Sequence, residues 1–169
     1  VQAWWMYDWA NSVYNLVITT TFFPIYFLGV TKAAYGENSV RFLGRTFKNS
    51  ALYDYTLAVA YLTMAVLLPI LSSIADSEGN KKRFMQFFCY LGATACMGLY
   101  WFEGSNIVWG VTCFMLAVIG YAGSLVFYNS YLPEIAVPED RDKVSARGFM
   151  MGYIGSVILQ VIGFGLVLY

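Results

Sequence analysis

The stretch YDWANSVYN, residues 7–15, lies inside the apolar run VQAWWMYDWANSVYNLVITTTFFPIYF, Val1 to Phe27. It brings a carboxylate, two asparagines and a serine into a segment otherwise dominated by aromatic and aliphatic side chains. Roughly 20 such residues in a helix cross a hydrocarbon core of about 30 Å, where a polar group is costly unless it is paired, capped or wetted. On a helix of regular pitch, Asp8, Asn11, Ser12, Asn15 and Thr19 recur at intervals of three and four, which predicts a single polar stripe. Trp9, Val13, Leu16 and Val17 take the other side and suit lipid or packing. Two readings of Asp8 stay open. It caps or bonds near a helix start, where unpaired N–H groups favour an acid, or it lines a water-filled pathway. Capping does not reach Asn15, two turns deeper, so the pathway reading grows stronger there.

The rest of the chain places this run in a membrane protein. Of 169 residues, 59% are apolar, 19% aromatic and 12% charged, against about 25% charged in an ordinary soluble domain. So few charges cannot cover a surface in water without large apolar patches. Five stretches are long and apolar enough to span a bilayer: Trp9–Val30, Tyr55–Ala75, Phe84–Phe102, Ile107–Leu132 and Gly148–Tyr169. They are continuous rather than alternating, which argues for an all-α membrane protein and against a β-barrel. Trp4, Trp5, Tyr7, Tyr53, Tyr100 and Trp101 gather near their ends, as an interfacial belt requires. The connection Thr31–Asp54 is the longest and has apolar residues at helical spacing, compatible with a short interfacial helix.

Composition also excludes several functions. The chain has no histidine, hence neither the commonest metal ligand nor the commonest general base. Cys89, Cys96 and Cys113 lie in apolar runs without ligand spacing and read as buried thiols. No metal, no cofactor and no nucleic-acid partner are expected, and no signal peptide is visible. Val1 and Tyr169 lie in or beside apolar runs, as expected of a piece of a longer protein. The loops Asp76–Arg83 and Pro133–Arg147 carry Lys81, Lys82, Arg83, Arg141, Lys143 and Arg147, a basic excess that predicts a cytoplasmic N-terminus.

Two further constellations stand out. In ILSSIADSEGNKKRF, residues 70–84, Asp76 and Gly79 form a tight turn before a basic triplet that meets lipid phosphates. In FYNSYLPEIAVPEDRDKVSARG, residues 127–148, Tyr128, Asn129, Pro133 and Glu134 close the fourth span, and Arg141 follows in a charged loop. Gly148, Gly152 and Gly155 have the small-residue spacing of close helix packing.

At these places the chain resembles the major facilitator superfamily. SSIADSEGNKKR is similar to its loop motif between the second and third helices. Asp76, Gly79, Lys81 and Lys82 match, while Ser72, Ser77 and Asn80 depart from it. YDWANSVYN and FYNSYLPEIAVPEDRDKVSARG resemble the branch that holds the fungal vacuole effluxer and its bacterial relatives. The resemblance implies a twelve-helix fold of two six-helix halves, of which this chain is the N-terminal half, truncated before its sixth helix. It implies alternating access around a midplane site, a small-molecule substrate with amino acids as one class, and a C-terminal half lying outside the chain. Carried over, Asp76, with Gly79, Lys81 and Lys82, is a conformational latch rather than a substrate ligand.

The expectation is therefore a secondary active transporter in a cell membrane, bacterial inner membrane by this resemblance, and not an enzyme. Asp8, Asn11, Asn15, Thr19 and Asn129 are the pathway candidates. Tyr128, Pro133, Glu134 and Arg141 mark the fourth-helix boundary. Asp8 or Glu134 is the candidate to carry a coupling proton. The alternative is a non-transporting membrane scaffold or receptor, which needs no water-accessible polar stripe. A membrane-embedded enzyme is weaker still, because no metal motif, nucleophile elbow or carboxylate pair is present.

Overall fold

The structure is a computed structural model describing residues 1–36 and 39–168, with the side chains of 75–78 outside that description. Helix dominates, as apolar runs in lipid demand: a helix satisfies every backbone N–H and C=O within its own segment. The order is α1 (Gln2–Val13), a π-helical segment (Tyr14–Phe22), α2 (Phe23–Tyr35), strands β1 (Val40–Phe42) and β2 (Arg45–Phe47), then α3 (Asn49–Glu78) and α4 (Lys81–Gly98). After these come α5 (Ile107–Ser130), the short α6 (Leu132–Ile135) and α7 (Arg141–Leu168). Four helical stretches are long and apolar enough to cross a membrane: Gln2–Tyr35, Asn49–Ile74, Ile107–Ile135 and Pro138–Leu168. The stretch expected as a third crossing is also helical, but α4 has 18 residues and starts on Lys81, Lys82 and Arg83.

Two compact units are present, residues 1–23 with 128–169, and residues 24–127. In the second, aromatic side chains build the core. Phe27 stacks on Phe102 with centroids 5.7 Å apart, and Tyr53 stacks on Phe114 at 5.1 Å. Met64, Phe88 and Phe127 form a neighbouring cluster, with Phe84 stacked on Phe127 at 5.4 Å. Helices α4 and α5 meet backbone to backbone at Gly92 and Gly120, where a Cβ on Gly92 would lie 3.5 Å from the Gly120 Cα. Most hydroxyls here are satisfied within their own helices. Thr31 donates to the Phe27 carbonyl at 2.6 Å and Thr56 to that of Leu52 at 2.7 Å, the usual solution where water is absent.

Three expectations need correction. Among the described residues, the connection 31–54 holds no separate interfacial helix: α2 runs on to Tyr35, and β1 and β2 pair antiparallel with Val40 opposite Phe47. The turn is Leu43–Gly44, with φ of 48° and 79°, the double left-handed geometry of a tight hairpin turn. Leucine carries a Cβ that opposes this conformation by about 1 kcal/mol, so no turn signal was legible there.

The second correction concerns the cysteines. Only Cys113 is buried, Cys96 being half-buried and Cys89 exposed, on a face of α4 that the described residues leave uncovered. The third concerns the polar stripe, described below. By contrast, the turn between α3 and α4 closes on Gly79 at φ 65°, the left-handed glycine that commonly ends a helix.

Candidate functional site

The polar groups of the first helix meet α7 across the glycine face. Asp8 is 2% exposed and is the one acidic side chain buried among the described residues. One carboxylate oxygen accepts the Ser12 hydroxyl at 3.0 Å. The other faces Gly152, where an added Cβ would lie 2.9 Å from Asp8 Oδ2 and 2.7 Å from Ser12 Oγ. A side chain at 152 would fill the space that the carboxylate occupies. Gly148 lies beneath the Trp4 ring, and Gly155 beneath the Trp9 ring and its carbonyl. The three glycines are thus a packing face, as their spacing predicts, and the buried carboxylate is pressed into its middle. Ser156, also buried, gives its hydroxyl to the Gly152 carbonyl at 2.8 Å and needs no partner outside α7.

Above Asp8 lies an aromatic stack. Tyr128, buried at the end of α5, stacks on Trp4 with centroids 4.3 Å apart and on Tyr7 at 5.1 Å. The Trp4 indole donates to the Tyr128 carbonyl at 3.0 Å, and the Trp5 indole to the Val144 carbonyl at 3.0 Å. Arg147 sits 5.6 Å from the Trp5 ring centroid, a cation–π contact. Trp4 and Trp5 therefore do more than mark an interface: they tie the first helix to the fourth-helix boundary and to α7. Sequence reasoning missed these ties, since their partners lie more than a hundred residues away. Trp4→Phe keeps a ring for the stack and loses the indole bond. It is expected to lower stability by about 1 kcal/mol, measured as a drop in melting temperature of the purified protein.

The Tyr128 hydroxyl is buried without a hydrogen-bond partner among the described residues, as is Gln160 Oε1 on α7. A buried hydroxyl left in this condition costs about 1–3 kcal/mol, so it has unused capacity for a visiting group.

The predicted stripe holds from Asp8 to Ser12 and then breaks. Thr19 is buried and Asn11 half-buried, but Asn15 is exposed. From Tyr14 onward the helix is π-helical, its bonds reaching five residues back, so the α-helical period on which the stripe was drawn does not describe that part of the chain. Thr20 and Thr21 follow the same geometry, donating to the carbonyls of Asn15 and Leu16, both at 2.8 Å. Asn129 is exposed, beside the buried Tyr128. Pro133 and Glu134 are exposed on α6, and Arg141 donates to the carbonyls of Ala136 and Pro133, each at 3.3 Å, so it fastens the turn into α7. Lys81 is half-buried and Lys82 exposed at the start of α4. The Asp76 side chain lies outside the described residues. Among those residues no cluster of His, Cys, Asp or Glu could hold a metal ion.

Long apolar helices, a carboxylate buried on a glycine face and an aromatic clamp beside it define an integral, multi-pass helical membrane protein. Its family is shown by comparison with known proteins: a family model described as vacuole effluxer Atg22-like matches residues 1–169, and the chain belongs to that family. It is 36% identical over 167 residues to a Bacillus subtilis protein named as an uncharacterized MFS-type transporter, YxiO, covering 99% of this chain and 37% of that one. An Aquifex aeolicus protein is 25% identical over 156 residues, covering 92% of this chain and 36% of its own length. Autophagy-related protein 22 of Neurospora crassa is 23% identical over 155 residues, covering 79% of this chain and 21% of its own length. The chain thus spans between about a fifth and somewhat over a third of these relatives. No solved structure matches. The family description and the name of the Bacillus relative denote transport, not catalysis.

Proposed function

We propose that the protein is a secondary active transporter that moves a small solute across the membrane by alternating access. Its helices form five crossings of a six-helix half in a twelve-helix facilitator fold, with the N-terminus cytoplasmic. The observation that carries this reading is Asp8, a carboxylate buried in the first membrane-spanning helix, with the unpartnered Tyr128 hydroxyl nearby. Buried acids in membrane helices are costly and concentrate on transport pathways and proton relays. Of the two carboxylates considered for a coupling proton, the exposed Glu134 is the weaker candidate and Asp8 the stronger. Family membership supports transport, and amino acids, the class that the sequence resemblance implies, are the first substrates to test. Asn11, Asn15, Thr19 and Asn129 are candidates to contact solute, and Asp76, Gly79, Lys81 and Lys82 to latch one access state.

The test is uptake of labelled amino acids into proteoliposomes holding the full-length protein, with and without an imposed proton gradient. Gradient-driven accumulation against concentration is the expected result. A protein that moves no solute under any gradient, while folded and monodisperse, fits the scaffold or receptor reading instead. Tyr128→Phe is expected to lower transport at least threefold while leaving the melting temperature unchanged or raised, because the hydroxyl it removes has no partner to lose.

A further inference from the structure

We infer that the β1–β2 hairpin is an interfacial anchor, its Leu43 tip seated among the lipid acyl chains at the membrane surface and its arginines on phospholipid phosphates. The inference requires only that α3 spans the bilayer and does not depend on transport.

The hairpin holds a strained backbone at its tip that no contact with the described residues offsets. Leu43 holds a left-handed backbone, and its side chain is 79% exposed. Asparagine or glycine would occupy that turn position without strain. An apolar side chain held there against its backbone preference needs an apolar environment, and none of the described residues provides one.

The surroundings identify that environment as lipid. Pairing places Val40, Phe42, Arg45 and Phe47 on one face of the hairpin and Arg41 and Thr46 on the other. Phe42 meets Phe47 edge-on at 6.5 Å, and Phe47 meets Tyr55 at 6.2 Å. Tyr55 lies six residues beyond the first residue of α3, about 9 Å along its axis. The base of the hairpin therefore leans down along the flank of α3 rather than standing clear of it. That flank is the exposed apolar stripe Tyr55, Val59, Leu62 and Val66, 51–66% exposed, the surface that a membrane-spanning helix presents to lipid. The hairpin sits at the head of this stripe.

Charge complements the arrangement. Arg41, Arg45 and Lys48 are exposed, and among the described residues none has a carboxylate within ion-pair distance. A leucine flanked by arginines, above an aromatic cluster and beside a lipid-facing stripe, has the chemistry of the headgroup boundary: apolar tip inward, guanidinium groups on phosphate.

The experiment places an environment-sensitive fluorophore at Leu43→Cys or Thr46→Cys in the full-length protein, with Cys89, Cys96 and Cys113 replaced by alanine, in nanodiscs of phosphatidylcholine and phosphatidylglycerol. Nitroxide near the headgroup end of the acyl chains should quench position 43 at least twofold more than position 46, and aqueous iodide should do the reverse. Arg41→Gln with Arg45→Gln should at least halve the lipid quenching at 43. Iodide access at 43 equal to that at 46 overturns the proposal. Should the cysteine-free background not fold, hydroxyl-radical footprinting of the unaltered protein in the same nanodiscs decides it. Leu43 should oxidise at less than a third of its rate in a synthetic peptide of residues 39–48 in buffer, and equal rates overturn the anchor.

Discussion

Gly155→Ala should break the packing of α1 on α7. The new methyl meets the Trp9 ring and comes within 2.8 Å of the Trp9 carbonyl oxygen. A ring can rotate away, but a backbone carbonyl moves only if the helix does. Overpacking of this kind costs about 1–3 kcal/mol, and the backbone contact puts this site at the upper end. The alanine variant is expected to lose most of its monodisperse peak in detergent size-exclusion, and its residue should melt at least 5 °C lower. Gly165→Ala is the contrast, since nothing lies within 4 Å of a methyl there and alanine favours helix by up to about 1 kcal/mol. Equal behaviour of the two variants would show that helices α1 and α7 are not held together at Gly155.

The second large effect is expected at Asp8. Asparagine in its place keeps an oxygen to accept the Ser12 hydroxyl and nearly the same volume against Gly152, while removing the negative charge. Asp8→Asn should therefore fold and melt as the parent does, yet show at least a tenfold loss of gradient-driven accumulation. Equilibrative exchange of solute should survive, because a neutral side chain imitates the protonated acid. Asp8→Leu, which gives Ser12 no acceptor and crowds the glycine face, should lose stability as well. If Asp8→Asn accumulates solute normally, the carboxylate is a structural pin between α1 and α7 and carries no proton.

The balance between these roles shows what the residues by themselves reveal. The apolar runs, the glycine spacing at 148, 152 and 155 and the turn at Gly79 were all legible, because each depends on local chemistry or on helical period. The same period does not describe the helix beyond Val13. Nothing in YNLVITTTF announces that its backbone bonds reach five residues back, and within it Asn15 is exposed while Thr19 is buried. The clamp of Trp4 and Tyr7 on Tyr128 was invisible for another reason: its members lie at opposite ends of the chain. Leu43–Gly44 was illegible as a turn because leucine is a poor choice there by intrinsic preference. That mismatch is what made it informative once its conformation was known.

The sequence alone determined that the chain partitions into a membrane as helices, since transfer of each apolar residue from water adds to a sum that no later folding step reverses. It also determined the family, through polar residues retained at cost in the first helix and around the fourth-helix boundary. Only the tertiary structure decided which of those polar groups is buried, and against what. Asp8 lies in the interior because Gly152 of a distant helix leaves room for its carboxylate, and the segment after Val13 takes a π-helical pitch that its residues do not announce. Both depend on geometry that the local pattern does not encode: the pitch of one helix and the shape of its partner.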